Sequence, residues 1–492
     1  MRRKSVEQSI AETEEPEHRL KKNLGALDLM IFGVGVIIGA GIFVVTGTVA
    51  KTNSGPAITL SFLIAGLACG LAALCYAEFA ATVPVAGSAY TFSYATFGEL
   101  VAWIIGWDLA LEFTIGAAAL ATSFSGYYQE VVDGSFLEVP TGIASAADGF
   151  VDLPAVVISV LVTVVLIVGI KFSSRVNQAV VAIKLLVIAM VLIFGFSHID
   201  TANYVPFIPE SKPAPAGSGG FLDSTLISTL TGAEPAVYGL AGVIAGASIV
   251  FFAFLGFDIV ATTAEETRNP QRDIPRGIIG SLVIVTVLYI AVSLVVTGMQ
   301  PYEQIDENDA APLATAFDAV GMEWMGRLIA IGACIGLIVV VMILMLGQTR
   351  VGFAMARDGL LPKPLAKVHP VFGTPYVFTA ITGLAVAAIS GFVELDTLVN
   401  LVSIGALFAF VLVSIGVLLL RRQRPDLPRA FRTPMIYVVS PVSALLCAYL
   451  MLNLTGATWV RFLVWMALGL VVYLLYGRTH SRLARPVTED AT

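Results

Sequence analysis

The chain has 492 residues, of which 57% are hydrophobic and 13% are charged, about half the charged fraction of roughly 25% in an ordinary soluble domain. This apolar excess, with a net charge of only −7, argues against a soluble enzyme, a nucleic-acid-binding protein and a secreted disulfide-rich domain. We therefore expect an integral membrane protein whose main solvent is the lipid bilayer.

The N-terminal residues 1–26 carry mixed charges, with Arg2, Arg3 and Lys4 followed by several glutamates, and they predict a cytoplasmic tail and not a signal peptide. Beyond this tail, apolar runs of about 18 residues or more predict transmembrane helices. Twelve are expected, at 27–49, 57–82, 99–129, 154–171, 176–197, 239–264, 276–299, 327–357, 374–393, 396–420, 434–453 and 458–477. Residues 478–492 form a second predicted tail.

The positions of the basic residues predict the orientation of these helices. Lysine and arginine concentrate in both tails and in alternate loops, whereas the loops between them hold only Lys51, Lys212, Arg327 and Arg461. By the positive-inside rule, both termini are expected in the cytoplasm of a multi-pass plasma-membrane protein. The longest predicted outer loop, 198–238, is rich in proline and glycine and predicts an irregular extracellular cap.

The cysteines and histidines form no metal-binding pattern. All four cysteines lie in apolar runs, where a thiol usually acts as a small hydrophobe, and all four histidines lie outside those runs. We expect neither a disulfide, nor a metal site, nor a cofactor.

The first predicted helix is rich in glycine, with Gly33, Gly35, Gly39 and Gly41 close together. A glycine lowers helix stability by about 1 kcal/mol, so the cluster favours a break near Gly39 to Gly41. The same residues would also suit close packing between helices, and this helix alone does not decide between the two interpretations.

The sixth predicted helix, 239–264, repeats the pattern, since it holds Gly256 and Asp258 within its apolar run. Interrupted helices at corresponding positions of two halves are typical of inverted-repeat transporters, in which the substrate binds near the bilayer midplane. Amides at a helix N-terminus favour a carboxylate, and unpaired carbonyls favour an ammonium group. The pattern therefore predicts a site for a zwitterion.

Four motifs then carry a resemblance to a known family, in order along the chain: residues 33–43 (GVGVIIGAGIF), 107–112 (WDLALE), 256–275 (GFDIVATTAEETRNPQRDIP) and 347–362 (GQTRVGFAMARDGLLP). They are similar to motifs of the cationic amino acid transporter branch of the amino acid, polyamine and organocation superfamily. The resemblance covers essentially the whole chain.

The resemblance implies an all-α polytopic membrane protein with no enzymatic activity. Its fold would be a five-plus-five inverted repeat, as in sodium-coupled neurotransmitter-type symporters, with the first and sixth helices broken. Repeat 1 would span 27–197 and repeat 2 would span 239–420, and two further helices would lie within 434–477.

The resemblance also implies a substrate site between the two broken helices. The substrate carboxylate would meet backbone amides of the first break, here those of Gly39, Ala40, Gly41 and Ile42. The substrate ammonium would meet carbonyls of both breaks, here those of Ile37, Phe251 and Ala253. Phe252 matches the aromatic residue that closes over the substrate from outside.

Lys184 is the basic residue inside a predicted span. It lies nine residues after Arg175, about 13 Å further along the helix and near the middle of a core about 30 Å thick. Ionisable side chains at this depth are costly and are functional candidates. In the family a lysine at this place occupies the room of a second sodium site and is associated with proton coupling, so Lys184 is the expected proton carrier. The alternative is a lysine held permanently by carbonyls at a helix C-terminus.

Glu112 and Asp258 are acidic candidates for shaping or gating the pocket, and Asp108 lies one turn before Glu112 on the same helix face. These acids could complement a cationic substrate, hold the broken backbone or shuttle protons. Family members with neutral and with cationic substrates keep acids at the Glu112 and Asp258 positions, so these two residues do not decide specificity.

We expect a secondary active amino acid transporter, specifically a proton-coupled symporter that works by alternating access. Its substrate would be a cationic or a small neutral amino acid, the proton would be its coupling ion, and nucleic acid would not be a partner. Two alternatives stay open: an exchanger of amino acids or of amino acids and polyamines, and a membrane sensor or partner subunit that does not transport.

Overall fold

The structure, a computed structural model, describes residues 24–83, 88–147, 149–169, 174–213, 220–234, 236–306, 309 and 311–482. Most of the predicted N-terminal tail, and residues 483–492 of the predicted C-terminal tail, lie outside this described part of the chain.

Helices dominate the described residues. The α-helices are α1 (Ala26–Ile37), α2 (Thr46–Val49), α3 (Ile58–Thr82), α4 (Ser88–Thr96), α5 (Glu99–Val132), α6 (Leu153–Val168), α7 (Ser174–Phe196), α8 (Leu226–Thr231), α9 (Gly239–Val250), α10 (Phe257–Thr262), α11 (Pro270–Met299), α12 (Pro312–Asp318), α13 (Glu323–Arg357), α14 (Tyr376–Phe392), α15 (Leu395–Gln423), α16 (Ile436–Leu452), α17 (Gly456–Val472) and α18 (Arg478–His480). The π-helical segments are Gly41–Val45, Ala50–Ser54 and Tyr473–Gly477. The 3-10 helices are Gly55–Ala57, Thr141–Ile143, Thr201–Tyr204, Phe251–Phe254, Ala264–Glu266, Tyr302–Gln304 and Lys363–Ala366. The strands β1 (Lys212–Pro213) and β2 (Ala236–Val237) form one antiparallel pair.

Within the described ranges, 8 helical segments are long and apolar enough to cross a membrane: Gly41–Thr82, Glu99–Val132, Val176–Phe196, Gly239–Thr262, Pro270–Met299, Glu323–Arg357, Leu395–Gln423 and Gly456–His480. Four shorter apolar helices, α1, α6, α14 and α16, have 10–17 residues. The chain is therefore an all-α polytopic membrane protein in its architecture, as the sequence predicted. The number of twelve spans and the repeat stay predictions, because a helix as short as α1 is only about 18 Å long, less than the thickness of a bilayer core.

Helix packing places α5 at the heart of the molecule. It is the most buried of the long apolar helices and packs most extensively against α13. Its run of small residues from Gly116 to Ala119 allows this close approach. Near the end of the chain, by contrast, Leu463 is 56% and Leu475 is 77% exposed, as expected for side chains that face lipid.

The first predicted break is present in the structure. Helix α1 ends at Ile37, and Ile38 leaves the helical conformation with φ −70° and ψ 89°. The π-helical segment that follows begins at Gly41. Farther back, a Cβ at Gly35 would lie 2.3 Å from the Val181 side chain. The two interpretations of the glycine cluster therefore both hold, because its first members serve packing and its last members lie at the break.

The second predicted break is also present. Helix α9 ends at Val250, the 3-10 turn follows, and α10 begins only after Gly256. Gly256 has φ 104°, a left-handed conformation that a residue with a side chain adopts only with strain. The two breaks lie against each other, since a Cβ at Gly41 would lie 2.2 Å from the Cα of Ala253.

The described part of the loop 198–238 has regular structure that its composition did not predict. It contains β1, β2 and the helix α8, whose first turn is capped by the Thr225 side chain. The backbone amide of Tyr238 donates to the carbonyl of Asn53, and the Tyr238 hydroxyl donates to the carbonyl of Lys51 at 2.5 Å. These long-range bonds, which composition does not report, attach the loop to the segment that follows the first break.

A buried ion pair joins α3 to the end of α15. Glu78, 1% exposed, accepts hydrogen bonds from Arg421 Nε at 2.9 Å and from the Thr433 amide at 2.7 Å. Arg429 Nε lies 3.5 Å from the same carboxylate. Because every member has partners, the cluster holds the connection after α15 against the bundle, which gives Glu78 a structural role.

Candidate functional site

A small cavity lies between the two breaks. It has a volume of about 10 Å³, room for about one water molecule, and its lining comes from both broken segments, from α5 and from α13. The lining residues are Val36, Ile37, Gly39, Ala40, Gly41, Leu120, Phe252, Leu255, Val340 and Leu344.

Five of the eight residues predicted to bind substrate line this cavity: Ile37, Gly39, Ala40, Gly41 and Phe252. The other three, Ile42, Phe251 and Ala253, are buried within the same two segments but do not line it. The predicted residues therefore meet around one small space, although they are more than two hundred positions apart in the chain.

Backbone groups at the first break have the polarity that a zwitterion requires. Gly39, Ala40 and Gly41 precede and begin the π-helical segment, and the first N–H groups of a helix have no carbonyl partner within it. Such a helix start attracts a carboxylate. The last carbonyls of α1 carry the opposite partial charge and lie at the other edge of the same break.

Lys184 lies at this break and is 1% exposed. Its Nζ donates to the carbonyl of Gly35 and to the carbonyl of Ile38, each at 2.8 Å. These are the carbonyls of a helix end, which is the environment that the alternative interpretation of Lys184 predicted. Among the described residues no carboxylate pairs with this ammonium, so its hydrogen bonds tie α7 directly to the end of α1.

Tyr289 is a site residue that the sequence analysis missed. Its hydroxyl lies 2.7 Å from the carbonyl of Ile37 and 2.8 Å from the carbonyl of Ala253, and its side chain is fully buried. These are two of the three carbonyls that were expected to meet the substrate ammonium. The phenol has one proton to donate, so it joins both breaks through a shared hydrogen bond. A tyrosine in the middle of the apolar run of α11 was the available signal, because a buried hydroxyl requires a partner.

The acidic candidates lie near the site but outside the cavity lining. Asp108 and Glu112 are fully buried in α5, and their carboxyl oxygens meet no hydrogen-bond donor among the described residues. A Cβ at Gly405 of α15 would lie 3.2 Å from Asp108 Oδ1. Asp258 lies in the first turn of α10, where the helix N-terminus favours a negative charge.

The part of the cavity beyond the breaks is aliphatic. Leu120 of α5, Leu255 at the second break, and Val340 and Leu344 of α13 line it. Met342 and Met345 lie on the same helix and are similarly apolar, but they do not line the cavity. Val340 and Leu344 are four residues apart and share one face of α13, whereas Met342 and Met345 lie on other faces.

Two contacts outside the cavity lining join the broken part of the bundle to α5 and α13. On the predicted outer side, the Tyr127 hydroxyl donates to the carbonyl of Phe43 at 2.5 Å. On the predicted inner side, Arg350 and Glu266 form an ion pair at 3.2 Å. Each contact joins a segment that follows one of the breaks to α5 or α13.

Comparison with known proteins shows similarity over nearly the whole chain. The family model described as amino acid permease matches residues 24–474. The branched-chain amino acid permease BcaP of Bacillus subtilis (strain 168) is 45% identical over 489 residues, 98% of each chain. The methylthioribose transporter of the same strain is 43% identical over 486 residues, again 98% of each chain. The vacuolar cationic amino acid transporter 2 of Arabidopsis thaliana is 40% identical over 430 residues, 87% of this chain and 64% of the relative.

Proposed function

The chain belongs to the amino acid permease family, and we propose that it carries neutral amino acids with aliphatic side chains across the plasma membrane together with protons. Family membership makes it an integral membrane transporter of amino acids and not an enzyme. The proposed topology is that of twelve helices in a five-plus-five inverted repeat with two further helices, and with both termini in the cytoplasm.

The aliphatic lining of the cavity is the observation that carries the proposed substrate class. The lining contains backbone groups of both polarities at the breaks, and its side chains beyond them are Leu120, Leu255, Val340 and Leu344. A guanidinium or ammonium side chain placed there would be buried without a partner, which is unfavourable by several kcal/mol or more. A leucine or valine side chain would exchange water for apolar contacts, at about 25 cal/mol per Å².

In this proposal the amides of Gly39, Ala40, Gly41 and Ile42 bind the substrate carboxylate. The carbonyls of Ile37, Phe251 and Ala253 bind the substrate ammonium, and the Tyr289 hydroxyl is the partner of the Ile37 and Ala253 carbonyls when no substrate is bound. Phe252 covers the substrate on the outer side. Glu112 and Asp258 then act outside the substrate contacts, as gating residues.

Lys184 is the proposed proton carrier. The charge on Nζ strengthens its hydrogen bonds to the carbonyls of Gly35 and Ile38, and a neutral amine would bind them more weakly. Loss of the proton therefore weakens the connection between α7 and the first break, where the substrate carboxylate would bind. This geometry supports coupling of proton transfer to a movement of the break.

The test is uptake into proteoliposomes of the purified full-length protein. Radiolabelled leucine, alanine and arginine are compared with and without an inward proton gradient, in the absence of sodium. We expect the gradient to drive accumulation of leucine, and arginine to accumulate least. Unlabelled methylthioribose is added as a competitor, because it is the named substrate of a relative that is 43% identical.

Each alternative has its own outcome in this experiment. Preferred accumulation of arginine would overturn the proposed substrate class. Exchange of label in preloaded vesicles without gradient-driven accumulation would identify an exchanger. Movement of none of the labelled compounds, in vesicles that hold a proton gradient, would favour a sensor or partner subunit.

Replacement of Leu344 by phenylalanine should reduce the space for the substrate side chain. We expect the KM for leucine to rise about tenfold and the KM for alanine to change by less than about threefold, since side-chain discrimination in a hydrophobic pocket is of this size. Initial uptake rates over a range of concentrations measure both values. Leu346→Phe is the matched control, because Leu346 lies on the same helix, is 39% exposed and does not line the cavity. Equal effects of Leu344→Phe on both substrates would contradict the proposed position of the side chain.

Replacement of Tyr289 by phenylalanine should impair transport by separating the two breaks. The change leaves the carbonyls of Ile37 and Ala253 without their donor, and each unsatisfied buried group costs about 1–3 kcal/mol. We expect the initial rate of leucine uptake to fall about tenfold or more. Tyr204→Phe is the control, because it removes a similar hydrogen bond, from the Tyr204 hydroxyl to the carbonyl of Leu294 in the same helix, away from the cavity. Similar losses in both variants would argue against a specific role for Tyr289.

A further inference from the structure

The side chain of Lys184 crosses to the first break over a glycine of α13. A Cβ at Gly336 would lie 2.4 Å from Cε, 3.0 Å from Cγ and 3.2 Å from Cδ of Lys184. The distance of 2.4 Å is well below any normal carbon–carbon contact, so the lysine methylenes lie directly against the α13 backbone at Gly336. A side chain of any size at position 336 would occupy the space that the lysine now uses.

This contact determines where the ammonium group can lie. Nζ reaches the carbonyls of Gly35 and Ile38 at 2.8 Å because the side chain runs close to α13 on its way to α1. One turn before Lys184 on α7, the Val181 side chain fills the space beside Gly35. We expect a lysine side chain displaced from Gly336 to change its course and to lose at least one of its two carbonyl partners.

Among the residues that the structure describes, the ionisable side chains on the helices around α7 do not bond to the Lys184 ammonium, and backbone carbonyls are its partners. Helix α7 packs most extensively against α13, α11 and α1. At similar depth these helices carry Tyr289 and Cys334, and their other ionisable side chains lie towards the helix ends. The Tyr289 hydroxyl is engaged with the carbonyls of Ile37 and Ala253.

We propose that Gly336 is a positioning residue for Lys184, and that its missing side chain is required for coupling transport to protons. The proposal rests on the proposed role of Lys184 as the proton carrier. Glycine within a helix is unfavourable by about 1 kcal/mol relative to alanine. The need for space beside the Lys184 side chain explains why a glycine is present in the middle of α13 despite this penalty.

The test compares Gly336→Ala with Gly332→Ala in proteoliposomes. Gly332 lies one turn earlier on the same face of α13, and a Cβ there would lie 2.4 Å from Cγ2 of Val187, also on α7. The two variants therefore disturb the same helix pair, each with a nearest distance of 2.4 Å, but only Gly336→Ala touches Lys184. Leucine accumulation driven by a proton gradient is measured beside exchange of label between leucine pools without a gradient.

We expect Gly336→Ala to keep exchange and to lose accumulation by at least about tenfold, a loss that corresponds to displacing one charge-assisted hydrogen bond. Gly332→Ala should lower both activities in proportion or leave both unchanged. An equal ratio of accumulation to exchange in the two variants would overturn the proposal.

A thermal-stability cycle keeps the test decisive if Gly336→Ala folds poorly. Each glycine variant is made in the wild-type chain and in Lys184→Ala, and the melting temperature of the purified protein is measured. Because alanine at 184 leaves room, Lys184→Ala should relieve the destabilisation by Gly336→Ala and should not relieve that by Gly332→Ala. Additive effects of Gly336→Ala and Lys184→Ala on the melting temperature would show that the two positions do not interact, and would overturn the proposal. If the wild-type protein shows no gradient-driven accumulation, the proposed function fails, whereas this cycle still reports on the contact.

Discussion

Replacement of Lys184 by alanine is expected to abolish gradient-driven accumulation of leucine while leaving exchange and binding measurable. The ammonium group is the proposed proton carrier, and its two hydrogen bonds to the carbonyls of Gly35 and Ile38 connect its charge to the first break. Without it, a proton gradient has no group through which to act on the break. Accumulation should therefore equal the value reached without a gradient.

The measurement is leucine uptake into proteoliposomes with and without an inward proton gradient, beside exchange in preloaded vesicles. Lys184→Met is the control for volume, because methionine preserves most of the side-chain bulk and removes the ammonium. Both variants should lose the response to the gradient. Lys212→Met, which changes a side chain that is 57% exposed in the predicted extracellular loop, should keep it. Gradient-driven accumulation by either Lys184 variant would remove this residue from the coupling mechanism.

Replacement of Gly41 by alanine is expected to weaken substrate binding severely. A Cβ at this position would lie 2.2 Å from both Cα and Cβ of Ala253 and 3.2 Å from its backbone nitrogen. These are backbone or backbone-anchored atoms, so the clash cannot be relieved by rotating a flexible side chain. The two breaks must separate, and the amides and carbonyls at the cavity then lose their common geometry. We expect the Kd for leucine to rise about a hundredfold or more, equivalent to about 2.7 kcal/mol.

Binding is measured with radiolabelled leucine on purified protein, so that a defect in transport does not hide the result. Gly70→Ala is the matched control, because Gly70 lies within α3 and a Cβ there would meet nothing within 4 Å. That change should leave the Kd unaltered and stabilise the helix by up to about 1 kcal/mol. Normal affinity in a well-folded Gly41→Ala variant would show that the first break is not the binding site.

Local sequence signals predicted the helices and breaks because such signals arise within one segment. An apolar run predicts a helix by its length and hydropathy alone, and glycine destabilises a helix wherever it occurs. The breaks at Ile38 and Gly256 therefore lie where the glycines predicted them. The number of twelve spans stays a prediction, because α1 and three other apolar helices are shorter than an ordinary membrane span.

The lining of the cavity could not be predicted in the same way. Val340 and Leu344 look no different in sequence from Met342 and Met345, and which of them lines the cavity depends on how α13 is rotated against α5. Tyr289 lies far along the chain from Ile37 and Ala253, and no local pattern assigns it to their carbonyls. The sequence therefore leaves the choice between cationic and neutral substrates open, and the proposed aliphatic substrate depends on side chains that the fold brings together.

The amino-acid sequence by itself determined that this chain is helical, membrane-embedded, interrupted at two glycine-rich points and equipped with a lysine at membrane depth. Each of these properties follows from the free energy of single residues or short runs in lipid or in a helix. Only the tertiary structure decided that the two breaks touch, that Lys184 and Tyr289 take the carbonyls at the first break, and that Gly336 makes room for the lysine. Those properties depend on distances between residues far apart in the chain, and such distances are set by the packing of helix faces against one another.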